Sequence, residues 1–428
     1  MRVLLITPIF FPEPCYLRGL PFVRELARRG MDVEVLTGFP NYPTGRIYCG
    51  YRQRFCYREM LEGVQVIRLP AYLSHDSSGL RRAASYLCMA ASMSLQGPLR
   101  VARPDLIHVF QGNAALCLPA EIISRICGAP ILLDVADLWP ESVLDSNMFH
   151  LPGGARLLQA WCRHTFRRAR HIVALSEGVK ARIMERGVSA DKVSVLYNWC
   201  DSDLEKPLPP RENCECYPEL KDTFNVIYAG TFGPLQALQT VLEAAERLLT
   251  KKPKVRLVLV GGGVEEQALK QIAMQKGLQN VVFIPRQPIE KLNRILALAD
   301  AVLIHLKNSS LNQVGIPSKV QHCLAIGRPI LVGALGCTLR LVEAARAGVA
   351  FQPENPVQLA EAIDHLESLP RPAREAMGRR GREFYFRKLS FAMGMDRLVG
   401  IYQRTLAYGS HPIGGSVQID PVLQSGCD

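Results

Sequence analysis

The feature that most constrains this chain is an alternation, kept up along most of its length, of short β-branched apolar runs with segments of helical periodicity. Val3–Thr7, Val33–Thr37, Val64–Leu69, Leu106–Val109, Ile131–Val135, Ile172–Leu175 and Val193–Leu196 read as buried strands, with helices at Leu20–Arg29 and 155–169. In the first helix Leu20, Val23, Leu26 and Ala27 fall on one face. The alternation resumes at Phe224–Tyr228 and continues through Val255–Val260, Val281–Ile284, Ala301–His305, Pro329–Val332 and a short run near Val349–Phe351. Helices at 237–250, 264–276, 289–298, 318–326 and 339–346 separate these runs, and helices 356–369 and 372–387 follow. Strands that are apolar on both faces and separated by helices imply parallel sheets covered on both sides.

The two halves are joined by residues 201–222, a charged stretch with four prolines. At 428 residues the chain is too long for one ordinary core. The expected class is therefore α/β: two doubly wound, Rossmann-like domains facing across a cleft, with ligands at the strand C-termini. The boundaries expected are 1–205, 206–387, and a Gly-, Pro- and Ser-rich disordered tail at 409–428.

Composition removes several classes. With 48% hydrophobic and 21% charged residues the chain is not a disordered one. No stretch reaches 18 clean apolar residues, and the opening MRVLLITPIF lacks a cleavage pattern, so a cytoplasmic protein is expected. The 13 cysteines then read as thiols, and the tight pair Cys214 and Cys216 has no second half for a zinc site. The net charge of +12 is uneven: residues 1–200 carry 24 Lys and Arg against 16 Asp and Glu. A basic first half suits an anionic membrane surface or phosphorylated lipid, or serves solubility alone. No nucleic-acid-binding pattern accompanies it.

Three turns in the second half carry candidate chemistry. Gly230-Thr231-Phe232-Gly233 follows a strand directly, so its amides can approach an anion; a tight βα turn needs glycine in any case. Val260-Gly261-Gly262-Gly263 is not a dinucleotide fingerprint, because no acidic residue stands about 20 positions on. In Gly315-Ile316-Pro317-Ser318-Lys319, Lys319 lies in the first turn of a helix, against the dipole rule. An anion between that cation and the amides resolves the conflict; an outward-snorkelling lysine also does.

These turns, in the order YAGTFG, LVLVGGG, PSK and LAIGRPI, resemble the donor-binding half of glycosyltransferase family 4, which has the GT-B fold. The first half agrees. Its segments Glu13 to Arg18, Phe39-Pro40-Asn41-Tyr42-Pro43 and Asp137-Leu138-Trp139-Pro140-Glu141 resemble the subgroup that builds bacterial surface polysaccharides such as capsule and lipopolysaccharide, including transferases of N-acetylfucosamine-type sugars. The resemblance implies retaining transfer from a nucleotide diphosphate sugar, with the donor on the second domain and the acceptor on the first. It also implies a C-terminal helix at 388–406 that returns to the first domain.

Breaking the anomeric bond leaves negative charge on a diphosphate, which amides and a cation must stabilise. Lys319 is the expected cation, and Asp137 and Glu13 complete the catalytic set. Gly230, Thr231, Phe232, Gly233, Gly261, Gly262, Pro317, Ser318 and His322 are expected around the donor, with Arg286 and Gln287 near its base. Arg18, Asn41, Tyr42, Trp139 and Glu141 are expected on the acceptor side. No cofactor is expected, and no metal, because no DxD-type motif stands where one is needed. Two family glutamates are replaced by Val314 and His322, and a family basic pair by Pro234, Leu235 and Gln236. Those departures keep two other readings open: a non-catalytic sugar-nucleotide-binding or scaffold protein, and a sugar-nucleotide epimerase.

The segment Leu80–Arg103 places Tyr86, Leu87, Met89 and Met93 between arginines, and the helix around 155–170 ends in a run of basic residues. Both suit the inner face of the cytoplasmic membrane and an acceptor on a polyprenyl diphosphate; both also suit apolar faces turned to the core.

Overall fold

The structure, a computed structural model, describes residues 1–74, 78–141, 154–211 and 217–407. Cys214, Cys216 and the tail 409–428 lie outside the described residues. The chain divides into two compact units. Among the described residues, unit 1 comprises Met1–Tyr197 with Met395–Ala407, and unit 2 comprises Asn198–Gly394.

Unit 1 is built on an eight-stranded sheet: β1 (Arg2–Ile6), β2 (Asp32–Gly38), β3 (Tyr57–Leu61), β4 (Val64–Leu69), β5 (Leu106–Gln111), β6 (Ile131–Val135), β7 (His171–Ala174) and β8 (Val193–Val195). The order is β3-β4-β2-β1-β5-β6-β7-β8. All neighbours are parallel except β3 and β4. That edge hairpin is missing from the sequence reading because Tyr57–Leu61 is a half-exposed strand rich in charge rather than a buried run. Glu62 and Gly63 both take positive φ, 48° and 83°, as a two-residue hairpin turn matched to strand twist requires.

The central strands bury Leu4, Ile6, Leu36, Ile107, Val109 and Leu133 in one core with Met89, Met93, Ile123 and Phe166 from the helices. Each such side chain contributes roughly 1.5–3 kcal/mol by leaving water. The helix Gly79–Gln96 starts where Ser78 accepts a hydrogen bond from the Arg81 amide, and it buries Ser85, Met89, Ala90 and Met93 along one face. Met89 and Met93 therefore belong to the core and do not face a membrane.

Unit 2 carries a six-stranded parallel sheet: β9 (Phe224–Thr231), β10 (Val255–Gly262), β11 (Val281–Pro285), β12 (Ala301–His305), β13 (Ile330–Gly333) and β14 (Gly348–Ala350), in the order β11-β10-β9-β12-β13-β14. Val226, Tyr228, Val241, Leu257, Leu259 and Leu303 sit in its core. The chain leaves β9 toward β10 and β11, then returns to the other side of β9 as β12. This reversal opens a crevice beyond the C-terminal ends of β9 and β12. In unit 1 the reversal falls between β1 and β5.

The last described helix is Phe391–Ala407. Within unit 1, its Tyr402 hydroxyl lies 2.6 Å from His108 Nδ1 and its Asp396 pairs with Arg29 at 2.7 Å.

Candidate functional site

A recess of about 510 Å³ occupies the crevice of unit 2. The ends of β9 and β10 supply Gly230, Thr231 and Gly261, the turn after β11 supplies Arg286 and Gln287, and the start of the helix Ser318–Ala325 supplies Ser318, Lys319 and His322, with Pro317 before it. Gly261 has to be glycine, since a Cβ there would lie 1.8 Å from the Gly230 carbonyl oxygen on the adjacent strand.

Lys319 is the chemical centre of this recess. Its Nζ donates to Tyr228 Oη at 3.0 Å and lies 4.5 Å from the centre of the Tyr228 ring. Tyr228 Oη in turn donates to the Thr231 carbonyl at 2.7 Å. No carboxylate lines the recess among the described residues, so burial outweighs the opposing pull of Cys323 and the ammonium pKa falls to about 8. Arg286 is exposed at the rim. Burial also lowers His322, to about 4, so its imidazole is neutral near pH 7. Cys323, on the same helix, is pushed up to about 12 by burial and is a thiol.

Phe232, Gly233 and Gly262 do not line the recess. The Phe232 ring is 1% exposed, packed against Tyr228 and Phe283, and its amide donates to the Gly262 carbonyl. That amide is spent within the fold, so the first glycine turn offers fewer free donors than its sequence suggests.

Sequence reasoning missed Tyr228, Gln236, Cys323 and His305. Tyr228 was legible in principle: it stands two positions before Gly230 in a strand, so both face the same side. His305 ends β12, is fully buried, and holds the 234–236 turn in place. The Glu354 amide donates to its Nε2 at 3.0 Å, so Nδ1 carries the proton and donates to the Gln236 carbonyl at 2.8 Å.

Unit 1 splits its candidates into two groups. Glu13 is 5% exposed and accepts the amides of Phe10, Asn41 and Tyr42 at 3.0, 2.8 and 2.7 Å. Burial pushes its pKa upward while those amides pull against the rise. It clamps the loop after β1 to the loop after β2. Asn41 is buried in that clamp. Arg18 is 1% exposed, and its Nε donates to Asp134 Oδ2 at 2.6 Å. The sequence placed Arg18 on the acceptor side; in the structure its guanidinium is buried against Asp134. His108 Nε2 approaches the same Asp134 oxygen at 3.2 Å. Burial raises the Asp134 carboxyl, but Arg18 and His108 more than offset this and leave it below its ordinary value.

The second group stays accessible. Asp137, just past the end of β6, is exposed, yet crowding by protein pushes its carboxyl up to about 6. Trp139 is half-buried and meets Tyr86 edge-on at 6.1 Å. Tyr42 is 37% exposed in the loop after β2. Glu141 is held by Arg186, which also donates to the Trp139 carbonyl at 2.7 Å. Its carboxylate therefore fixes the Trp139 loop instead of standing free for a sugar hydroxyl.

Two family models cover most of the sequence: residues 20–199 match the glycosyl transferase 4-like domain, and residues 216–384 match glycosyl transferases group 1. The chain thus carries a glycosyl transferase 4-like domain followed by a glycosyl transferases group 1 domain. WcaI of Escherichia coli (strain K12), named for a glycosyl transferase role in colanic acid biosynthesis, is 27% identical over 371 residues, covering 82% of this chain and 87% of that one. The D-inositol 3-phosphate glycosyltransferase of Mycobacterium tuberculosis (strain F11) is 24% identical, over 89% of this chain and 77% of that one. Among solved structures, Anabaena Alr3699/HepE in complex with UDP superposes with a TM-score of 0.67 at 15% identity, over 94% of this chain and all of that one. WaaG, a glycosyltransferase involved in lipopolysaccharide biosynthesis, gives 0.65 at 16% identity, over 93% and 99%. The glycosyltransferase thus has the GT-B fold. No helix among its described residues is long and apolar enough to cross a membrane.

Proposed function

We propose that this glycosyltransferase moves a sugar, with retention at the anomeric carbon, from a nucleotide diphosphate donor to a glycan acceptor in surface-polysaccharide assembly. The observation that carries the reading is Lys319: a half-buried ammonium at a helix N-terminus, in a recess lined by no carboxylate among the described residues. A diphosphate supplies the missing counter-charge to both the ammonium and the helix amides. As the anomeric bond lengthens, charge builds on the leaving phosphate, and Lys319 is already in place to stabilise it. The leaving phosphate can take the acceptor proton on the same face of the sugar, so no protein nucleophile is needed. Support for the nucleotide comes from Alr3699/HepE, solved with UDP and with UDP-glucose. Support for the pathway comes from WcaI and WaaG.

On unit 1, Asp137, Trp139 and Tyr42 are the accessible acceptor-side groups. A carboxyl titrating near 6 can orient a sugar hydroxyl, and an indole can cover a sugar face. We further infer that the protein works at a membrane surface, on an acceptor carried by a lipid diphosphate. Leu80, Leu87 and Leu95 are 65–76% exposed on the helix Gly79–Gln96, opposite Met89 and Met93, and Leu99 just beyond is 87% exposed. Arg81 and Arg82 flank the start of this stripe and Arg100 its end, the pattern of an amphipathic surface on anionic headgroups.

The test is thermal unfolding against UDP, GDP, dTDP, ADP and their sugars. A ligand at about 100 times its Kd adds about 2.7 kcal/mol of stability, a shift of several degrees. The active sugar nucleotide is then used for transfer, and NMR of the product reads the anomeric configuration. Absence of any shift in a cooperatively unfolding sample overturns the donor site, and an inverted product overturns retention.

A further inference from the structure

A second recess, of about 620 Å³, lies within unit 1. It opens where β6, β7 and β8 begin, bounded by Pro130 and Ile131, Arg170 and His171, and Lys192. Asp137 follows the opposite end of β6. At about 3.3 Å per residue, the five-residue strand separates the two by roughly 15 Å. The recess is therefore distinct from the acceptor-side groups.

Its lining is strongly cationic. Arg167, Arg168, Arg170 and Lys192 line it, and Asp191 is the one carboxylate among the described lining residues. Arg167 and Arg168 close the helix Gly154–Arg168, where the helix dipole alone favours cations. That accounts for two of the four. Arg170 and Lys192 come from the segments that lead into β7 and β8, Lys192 as the last residue of a short 3-10 turn. Lys192 Nζ donates to the Arg167 carbonyl at 2.9 Å, which brings it under the arginines. Arg168 shares the buried Glu121 with Arg125 and His164, at 3.2 Å, so that carboxylate is already divided among three partners. Burial and the Arg170 charge hold Lys192 below its ordinary pKa. Burial, with Arg404, Lys180 and Lys192, brings His171 down to about 4 against the pull of Asp191. Like charges gathered in a concave site repel one another unless an anion joins them.

We propose that this recess binds the phosphate group of an anionic ligand, either a phospholipid headgroup or a soluble phosphorylated molecule. Its volume is in the range of small-ligand pockets, about 300–1,000 Å³. It shares no residue with the Lys319 recess, so the proposal stands apart from the donor reading.

The experiment uses the full chain and two probes. Inorganic pyrophosphate is titrated by calorimetry, and vesicles of equal parts phosphatidylcholine and phosphatidylglycerol are co-sedimented with the protein, beside pure phosphatidylcholine vesicles. Arg167→Gln/Arg170→Gln, at exposed positions, is compared with the wild type and with Lys319→Ala, which removes pyrophosphate held by the other recess. The expected result is at least a tenfold loss for the double variant in one probe, retained by Lys319→Ala, with an unchanged unfolding temperature. Loss toward pyrophosphate names a soluble ligand, and loss toward anionic vesicles names a headgroup. Equal binding of both probes by the wild type and the double variant overturns the proposal, as does binding of neither probe by the wild type. Lys192→Gln is the second variant, judged by the same criteria, if the first does not fold.

Discussion

Lys319 and Tyr228, 91 positions apart, meet at 3.0 Å, the ammonium donating to the phenol oxygen and lying 4.5 Å from the ring centre. The phenol passes its own hydrogen to the Thr231 carbonyl, so the cation is aimed along the end of β9. Lys319→Ala should lower kcat for transfer by about 10²–10³, the usual cost of one transition-state charge contact. Tyr228→Phe keeps the ring and removes the acceptor oxygen, and should cost about tenfold in donor kcat/KM. A Lys319→Ala enzyme with wild-type kcat would remove Lys319 from the mechanism.

The pH dependence follows from the same lysine. Lys319 is charged below about 8 and neutral above it in the free protein. Donor kcat/KM should therefore fall as pH rises through about 8. Bound diphosphate favours the charged form, so the limb in kcat should lie higher. Asp137 should give an acidic limb near 6 if its ionised form orients the acceptor. Lys319→Arg, which stays charged, should abolish the basic limb; a limb near 8 that persists in this variant assigns it to another group.

Arg18 and Asp134 predict a stability effect rather than a catalytic one. Removing either partner leaves a buried charge, at a cost of about 3–5 kcal/mol. Arg18→Met/Asp134→Leu should unfold at a higher temperature than either single change, since no charge is stranded. Asp134 is held below its ordinary value, so its contribution is present above pH about 4 and is lost as pH falls through the lowered folded value. Urea denaturation at pH 7 and in acid checks both statements.

His305 does not itself line the donor recess, yet its hydrogen bond to the Gln236 carbonyl holds the turn that presents Gln236 there. His305→Ala should raise the donor KM several-fold with the acceptor KM unchanged, by freeing the 234–236 turn. A loss confined to thermal stability would make His305 merely structural.

Transfer is expected to proceed in excess EDTA, since Lys319 supplies the charge that a divalent ion would otherwise bring to the diphosphate. Activity lost in EDTA and restored by a divalent cation would refute this.

Much of the architecture was legible because it rests on local, repetitive physics. The runs Val255–Val260 and Ala301–His305 are apolar on both faces, and only a covered parallel sheet accommodates them. The hairpin strand Tyr57–Leu61 was not legible, because its residues are partly exposed and its turn is marked only by Glu62-Gly63. The recess on unit 2 was half legible: Gly230, Gly261 and Lys319 carry local signals of turn and helix start. Tyr228 is placed by strand period on the Gly230 side, but its partner Lys319 lies 91 positions away, and His305 carries no local signal because its partner lies 69 positions away.

The sequence by itself determined the two α/β units, the glycine turns at the strand ends and the anomalous cation at a helix start, since each depends on neighbours a few residues away. The tertiary structure alone decided which charges are spent. Glu13 goes to three amides, Arg18 to Asp134 and Glu141 to Arg186, while Lys319 faces a recess. Whether a charge is free depends on what folding brings within about 3 Å of it, and that distance is set by packing, not by position along the chain.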